Sequence, residues 1–509
     1  MTGSLFGVSA VPVTVEADVS GGLPHLTIVG LPGGAVREAA ERVRAAIRRS
    51  GFRWPAGRIT INLAPADLRK GGSGLDLPIA LALMGAMGAV PIRHLRRVAL
   101  YGELSLSGGV RPAGGALAVA QAVLEKGAGC LVTARECARE AALVPDLAVY
   151  AVESLEETRS LLQAPPGRRG EPVRGGSAAA LEGAACPADP DMADVRGQTR
   201  PRRALEVAAA GGHNLLLIGP PGSGKTMLAR RLPGLLPPPS LEEALEVTQI
   251  ASCAGQGHPG GLITERPFRA PHHTLTGPAL VGGGTPPRPG EVSLAHGGVL
   301  LLDELAEFKR PVLDLLRQPL EEGTVAISRA GRTALFPCRF LLVGAMNPCR
   351  CGYLGDRERP CTCLPSAVAH YRSHLSGPLV DRIDLHVEVP RVDVSALAGN
   401  SQTEGTEPIR RRVMAARKIQ AERYQGTDFA TNGALDSRAV RRHCALSPQA
   451  ALLLQRALSA LSLSARAHGR ILKVARTLAD LDAEETVGER QVAEAIAFRV
   501  LDRRSPAVS

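Results

Sequence analysis

Leu215-Leu-Leu-Ile218-Gly219-Pro-Pro-Gly-Ser-Gly224-Lys225-Thr226-Met-Leu-Ala-Arg-Arg-Leu232 decides the fold. Four apolar residues read as a buried strand, the Gly/Pro run as a loop, and Met227–Leu232 as the start of a helix. A glycine-rich loop between a strand and a helix turns successive backbone N–H groups, and the helix N-terminus, toward one anionic ligand. Gly219, Pro220, Pro221, Gly222, Ser223, Gly224, Lys225 and Thr226 are therefore expected to cradle the phosphates of ATP. Lys225 would neutralise the outer phosphates and the Thr226 hydroxyl would ligate Mg2+. The fold class that follows is α/β, a parallel sheet with a phosphate loop at its carboxyl edge.

About eighty residues further on, Val299-Leu-Leu-Leu302 runs into Asp303-Glu304. A buried strand ending in two acids beside a phosphate loop supplies what hydrolysis needs: Asp303 to hold magnesium and Glu304 to polarise water. A third strand, Arg339–Ala345, leads to Asn347-Pro348. An isolated Asn-Pro is an ordinary turn, but at a strand end beside the γ-phosphate Asn347 would orient the lytic water.

The flanks differ in character. Val13, Val15, Ala17 and Val19 alternate with polar residues, as do Ile59, Ile61 and Leu63, the two-residue period of strands. Ala35–Gly51 gathers Val36, Ala39, Ala40, Val43, Ala46 and Ile47 on one helical face, with arginines and glutamates elsewhere. Residues 164–190, rich in Pro, Gly and Ala, read as a linker. After a polar gap at 396–409 the chain has a helical pattern, as in Ala450–Leu461 and Ile471–Leu481. The expected organisation is an α+β domain over 1–163, a linker over 164–190, an ATPase core over 191–395 and a helical lid over 396–509.

The 509 residues are 45% hydrophobic and 21% charged, which suits two or three packed domains and excludes a disordered polymer. Stretches such as Leu77–Val90 are too short to span a bilayer, and the N-terminus lacks a basic start before an apolar run. A soluble cytoplasmic protein, with no membrane partner, is expected. Ten cysteines in a chain of this length do not make a disulfide scaffold. The net charge of +11 is uneven: residues 1–100 carry 12 basic and 6 acidic groups, residues 401–509 carry 18 and 12, and the middle is near neutral. Basic ends fit a polyanion such as DNA, although 54 Arg against 6 Lys also reflects composition bias. With aromatic content at 3%, few bases can be stacked, so backbone contacts with little sequence preference are expected.

Cys349, Cys351, Cys361 and Cys363 form two C-x-C pairs within fifteen residues, directly after Asn347. Four thiolates so placed suit a structural zinc ion, with reduced free thiols as the alternative. Cys130, Cys137, Cys186, Cys253, Cys338 and Cys444 are scattered and are expected to pack as small apolar residues.

Arg269-Ala-Pro-His-His273, Gly282-Gly-Gly284, Pro289-Gly-Glu291, Ala295-His296 and the acidic strand together resemble the magnesium-chelatase-like branch of AAA+ ATPases. Taken with the N-terminal domain, nearly the whole chain is similar to the ComM (YifB) family. That resemblance implies a hexameric ring and ATP-driven branch migration of DNA recombination intermediates during natural transformation. It makes Asn347 sensor 1, gives Arg382 the place of the arginine finger that reaches a neighbour's γ-phosphate, and best matches Arg466 to sensor 2, with Arg470 and Arg476 as rivals. Thr324–Phe336 reads as a hairpin turning at Ala330-Gly331, and the resemblance implies that it projects into the ring's pore, where Arg329 and Arg332 would grip phosphates.

Lys70-Gly-Gly-Ser-Gly-Leu-Asp76 and Tyr101–Gly115 resemble the Lon protease domain, whose chemistry is a Ser–Lys pair. Asp76 stands at or near the serine position, and Leu117 and Val119 stand where lysines are expected; Lys126 falls outside the motif. An inactive relative, used for binding or assembly, is implied. A chelatase-type motor remodelling a protein partner is the competing function, with ATP-dependent proteolysis a distant third.

Overall fold

The computed structural model describes residues 1–175, 190–329, 332–356, 358–392, 403–460, 464–499 and 501. Most of the stretch read as a linker, with Cys186, and the Ala330-Gly331 turn lie outside these residues.

The N-terminal region begins with β1 (Thr2–Phe6), β2 (Ser9–Ser20), β3 (His25–Val29), α1 (Gly34–Arg49), β4 (Arg58–Ala64) and α2 (Asp76–Ala86). The four strands form one sheet in the order β1-β2-β4-β3, parallel only between β3 and β4. Of the alternating residues, Val13, Ile59, Ile61 and Leu63 are buried, while Val15, Ala17 and Val19 are partly buried against the same core. α1 turns Val36, Ala39, Val43, Ala46 and Ile47 inward and carries Arg48 and Arg49 in its last turn, where the helix dipole favours cations. α2 is apolar nearly all round, so it is buried nearly all round. A second, parallel sheet joins β5 (Val98–Tyr101), β6 (Cys130–Ala134) and β7 (Ala148–Val152), with α3 (Ala116–Glu125) against it. Residues 164–175, read as the start of a linker, lie against this region: buried Arg169 donates to His94 O at 3.0 Å, and Val173 N to Val149 O at 2.8 Å.

The core that follows comprises α4 (Thr199–Gly211), β8 (Leu215–Ile218), α5 (Lys225–Leu235), α6 (Leu241–Cys253), β9 (Phe268–Arg269), β10 (Val299–Leu302), the hairpin β11 (Thr324–Arg329) and β12 (Arg332–Pro337), β13 (Leu341–Met346), α7 (Pro365–Ser373) and β14 (Leu385–Glu388). Five strands make a parallel sheet in the order β9-β10-β13-β8-β14. β8, β10 and β13 are buried along their whole length, which is why they read as unbroken apolar runs rather than alternations. Ile218 pairs with Met346 and Leu302 with Gly344, so the chain segments that follow all emerge at the same carboxyl edge. Open parallel sheets bind ligands at that edge.

The C-terminal residues are helical: α8 (Thr406–Arg423), α9 (Pro448–Ala460), α10 (Ala465–Leu481) and α11 (Glu489–Ala497) are the longer elements. They share a core with the sheet, in which Leu205, Leu215 and Leu228 meet Val413, Ile471, Val474 and Val492. The N-terminal region is joined to the core through α6, whose Ser252 Oγ accepts from Gly115 N at 2.8 Å and whose Gln249 donates to Val8 O at 2.8 Å.

Candidate active site

The loop after β8 has glycine where geometry demands it. A Cβ at Gly219 would lie 2.1 Å from Val389 O, and Gly222 and Gly224 have φ of 74° and 88°. Left-handed residues within a turn aim N–H groups into a common concavity. Lys225 follows as the first residue of α5, and its Nζ donates to Gly219 O at 2.8 Å, Pro220 O at 2.9 Å and Asn347 Oδ1 at 3.3 Å. Burial lowers its pKa from the usual lysine value, against the opposing pull of Asp303.

Thr226 Oγ1 donates to Asp303 Oδ2 at 2.6 Å, and Asp303 Oδ1 accepts from Glu304 N at 2.9 Å. Glu304 has φ of 51°, a left-handed bend that ends β10's path, and its carboxylate lies 3.0 Å from His273 Nδ1. His273 packs on His272, ring centroids 4.1 Å apart, and meets Phe308 edge-on at 6.4 Å. Tyr371 closes another wall; its hydroxyl accepts from the Asn347 backbone, and burial pushes its pKa up to about 12. Lys225, Thr226, His273, Asp303, Glu304, Asn347 and Tyr371 line a cleft of about 710 Å³, also bordered by Pro221, Met227, Glu307 and Met346, a size suited to a small-molecule ligand.

The phosphate-loop residues, Asp303, Glu304 and Asn347 thus come together. Four further contributors carried no assigned role in the sequence reading. Gln198 donates to Ser223 O at 2.7 Å and to Pro390 O at 3.3 Å, bracing the loop from behind. His273, Glu307 and Tyr371 line the cleft. Only His273 had a visible signal, as part of the Arg269–His273 run.

The arginines stand apart from this cleft. Arg382 pairs with Glu321 and donates to Pro378 O at 2.6 Å. Arg466 is exposed and lies 3.1 Å from Asp381. Arg470 pairs with Asp384, while Arg476 is 1% exposed and committed to Asp480 and to the carbonyls of Glu484 and Glu485. None of them lines the cleft. On the hairpin, Arg329 is exposed, whereas Arg332 lies 3.3 Å from Asp67 and over the Phe6 ring. Its hairpin therefore leans on the N-terminal region, a contact 265 residues apart in sequence.

In the N-terminal region, Asp76 is buried and held by Arg42 at 2.7 and 3.0 Å, and it accepts from Leu104 N at 3.2 Å. Leu117 and Val119 are fully buried in α3. Cys130, Cys137, Cys338 and Cys444 are buried as small apolar residues are, and Cys253 is nearly so.

Three family models match the chain: magnesium chelatase subunit ChlI over residues 191–397, subunit ChlI of Mg-chelatase over 15–136, and the ChlI C-terminal region over 403–499. Over 504 residues the chain is 42% identical to the uncharacterized protein YifB of Salmonella typhimurium, covering 99% of this chain and 97% of that one. It is 43% identical over 503 residues to the competence protein ComM of Haemophilus influenzae, covering 98% and 96%. The chain belongs to the ComM/YifB family, with magnesium-chelatase-like ATPase domains. A magnesium-chelatase 38 kDa subunit of Acidiphilium rubrum is 29% identical over 183 residues, which cover 30% of this chain and 51% of the subunit.

Membership of this ATPase family implies ATP and Mg2+, and the donor set of the cleft fits both. The Lys225 ammonium has only neutral oxygens as hydrogen-bond partners, and a hydroxyl and a carboxylate stand side by side beneath the loop. Among the described residues, no helix is long and apolar enough to cross a membrane.

Proposed function

We propose that this chain is an ATP-hydrolysing ring motor that moves on DNA, driving branch migration of recombination intermediates during natural transformation. The observation that carries the reading is the division of labour among its charged groups. Lys225, Thr226, Asp303, Glu304 and Asn347 converge on one cleft, while Arg382 stands outside it. A residue that supplies charge to a neighbouring subunit's site belongs outside its own.

Thr226 and Asp303 would hold the magnesium ion, which when bound offsets phosphate charge. Lys225 exchanges its carbonyl partners for phosphate oxygens. Asn347 orients a water molecule, and Glu304 accepts its proton. His273 acts as a positioning residue by holding the Glu304 carboxylate. Arg382 of one subunit would stabilise charge in the site of the next, and Arg466 is the best-exposed candidate for the sensor on α10. Residues 1–163 would form a Lon-protease-like domain that serves in assembly, 191–395 the ATPase core, and 396–509 its lid.

DNA as the track is supported by the full-length kinship with a competence protein and by exposed Arg329 on the hairpin. A chelatase-type motor acting on a protein partner is the competing reading. The similarity to a chelatase subunit, 30% of the chain against 98% for ComM, favours the first. The test is the ATPase rate with forked, four-way, double-stranded and single-stranded DNA. Stimulation by branched DNA is expected; a rate indifferent to every DNA would sink the DNA reading and leave the partner-remodelling one.

A further inference from the structure

The chain between Asn347 and α7 turns back on itself and brings four thiols together. The sulfurs of Cys349, Cys351, Cys361 and Cys363 all lie within 4.8 Å of one another. Cys349 and Cys351 are 3.3 Å apart, Cys349 and Cys361 3.6 Å, and Cys351 and Cys361 3.5 Å. A disulfide needs about 2.05 Å. Four thiolates on a tetrahedral zinc, with Zn–S of about 2.3 Å, have edges of about 3.8 Å. The backbone supplies the N–H donors that such thiolates require. Cys351 Sγ accepts from Tyr353 and Thr362, Cys363 Sγ from Cys351, and Cys361 Sγ from Cys363 N at 3.4 Å.

The position of this knuckle matters as much as its ligands. Its two ends are cleft residues: Asn347 lies two positions before the first thiol, and α7, which begins at Pro365, carries Tyr371. Its middle touches the phosphate loop. Gly352 has φ of 86°, and a Cβ there would lie 2.7 Å from Pro221 Cδ and 3.9 Å from Asn347 Cγ. Arg372 donates to Pro348 O at 3.4 Å, closing the base.

We propose that Cys349, Cys351, Cys361 and Cys363 hold one structural zinc ion, and that the closed knuckle buttresses the phosphate loop and Asn347. Four protein ligands leave no open position, so the ion's work is mechanical. It keeps Gly352 against Pro221 and fixes the span between Asn347 and Tyr371. The functional half of this inference rests on the nucleotide reading of the cleft; the metal half does not.

The full chain, purified without chelator, should carry about one zinc per chain by elemental analysis. Its four knuckle thiols should stay unreactive until a mercurial displaces the ion, with helical circular dichroism retained. Cys361→Ser with Cys363→Ser should lose the zinc and lower kcat by about ten- to a hundredfold through misplaced groups, while nucleotide affinity changes little. Because that variant can misfold, Gly352→Ala is the second arm: zinc retained, kcat lowered. Absence of metal with freely reactive thiols, or iron in place of zinc, would overturn the site. Full turnover in zinc-loaded Gly352→Ala, or in the folded chain after zinc displacement, would overturn the buttress. The zinc count stands whether or not ATP is hydrolysed, so failure of the nucleotide reading shows separately, as zinc-loaded wild type without turnover.

Discussion

Two buried lysines in this molecule sit beside glycine-rich loops, and they have opposite characters. Lys225 Nζ rests on two carbonyls of the loop it serves and on Asn347, with a cleft opening in front of it. Lys70 is 0% exposed, its Nζ bonded to Gly30 O at 2.9 Å and to Pro65 O. The acids repeat the contrast. Asp303 faces the cleft with a hydroxyl as its side-chain partner, whereas Asp76 is sealed in a bidentate pair with Arg42. Both regions set a lysine and an acid near a glycine-rich stretch of sequence. The charges of one keep exchangeable partners; those of the other are spent on holding the fold together. Resemblance of motifs does not distinguish these cases, and hydrogen-bond partners do.

The largest effects should separate the two regions. Lys225→Ala should abolish turnover, and Glu304→Gln should bind ATP but hydrolyse it about 10²- to 10³-fold more slowly. Asp76→Asn should instead lower stability by about 1–3 kcal/mol, since it weakens a partly exposed Arg42 pair, with kcat of the folded fraction retained. Denaturant unfolding alongside steady-state hydrolysis measures both. A stable Asp76→Asn protein that had lost turnover would erase the contrast, as would wild-type rates in Glu304→Gln.

The trans role proposed for Arg382 would extend the comparison to a neighbouring subunit. Arg382→Ala and Lys225→Ala should each be inactive alone, yet mixing them should restore part of the activity, because some interfaces then combine an intact loop with an intact arginine. Restoration is read from the ATPase rate across mixing ratios. Wild-type hydrolysis by a strictly monomeric preparation would remove the trans role.

What could be foreseen follows from where the information lies along the chain. The placement of the phosphate loop and of Asp303-Glu304 was legible because strand, turn and polar residue are contiguous, so local spacing alone brings them to one edge of the sheet. Asn347 was legible for the same reason. The His273–Glu304 contact was not, because it depends on β9 and β10 being neighbours in the sheet. Gln198, just before α4, reaches the loop, and Tyr371, on α7, reaches the cleft, from segments that nothing local ties to either. Arg332 read as a pore-facing cation, and its docking on Asp67 and Phe6 requires the packing of two regions.

That docking gives a smaller, graded prediction. Arg329 is exposed and Arg332 is shared with the N-terminal region, so the two should not be equivalent. Arg329→Ala should weaken DNA affinity about uniformly across sequences and reduce its salt slope by about one. Asp67→Ala should free Arg332 and strengthen DNA binding severalfold at low salt, with basal hydrolysis unchanged. Titrations at two salt concentrations test both, and equal effects of Arg329→Ala and Arg332→Ala with no response to Asp67→Ala would mean the docking is incidental.

The smallest effect concerns pH, and it falls on the core rather than the N-terminal region. His386 lies in β14, 0% exposed, and burial with Arg499 nearby lowers its pKa to about 3. The unfolded chain would bind a proton there near pH 6.5. Between those two values the unfolded state therefore holds more protons, and stability falls as pH drops. His386 adds no penalty above about pH 7 and costs about 1.4 kcal/mol by pH 5.5. His386→Gln should be less stable at pH 8 through imperfect packing, but its melting temperature should fall less steeply between pH 7 and 5.5. The melting curves of the two proteins should converge on acidification. Parallel pH profiles would mean that β14 admits a charged imidazole, and that the sheet beneath the nucleotide cleft is wetter than its packing indicates.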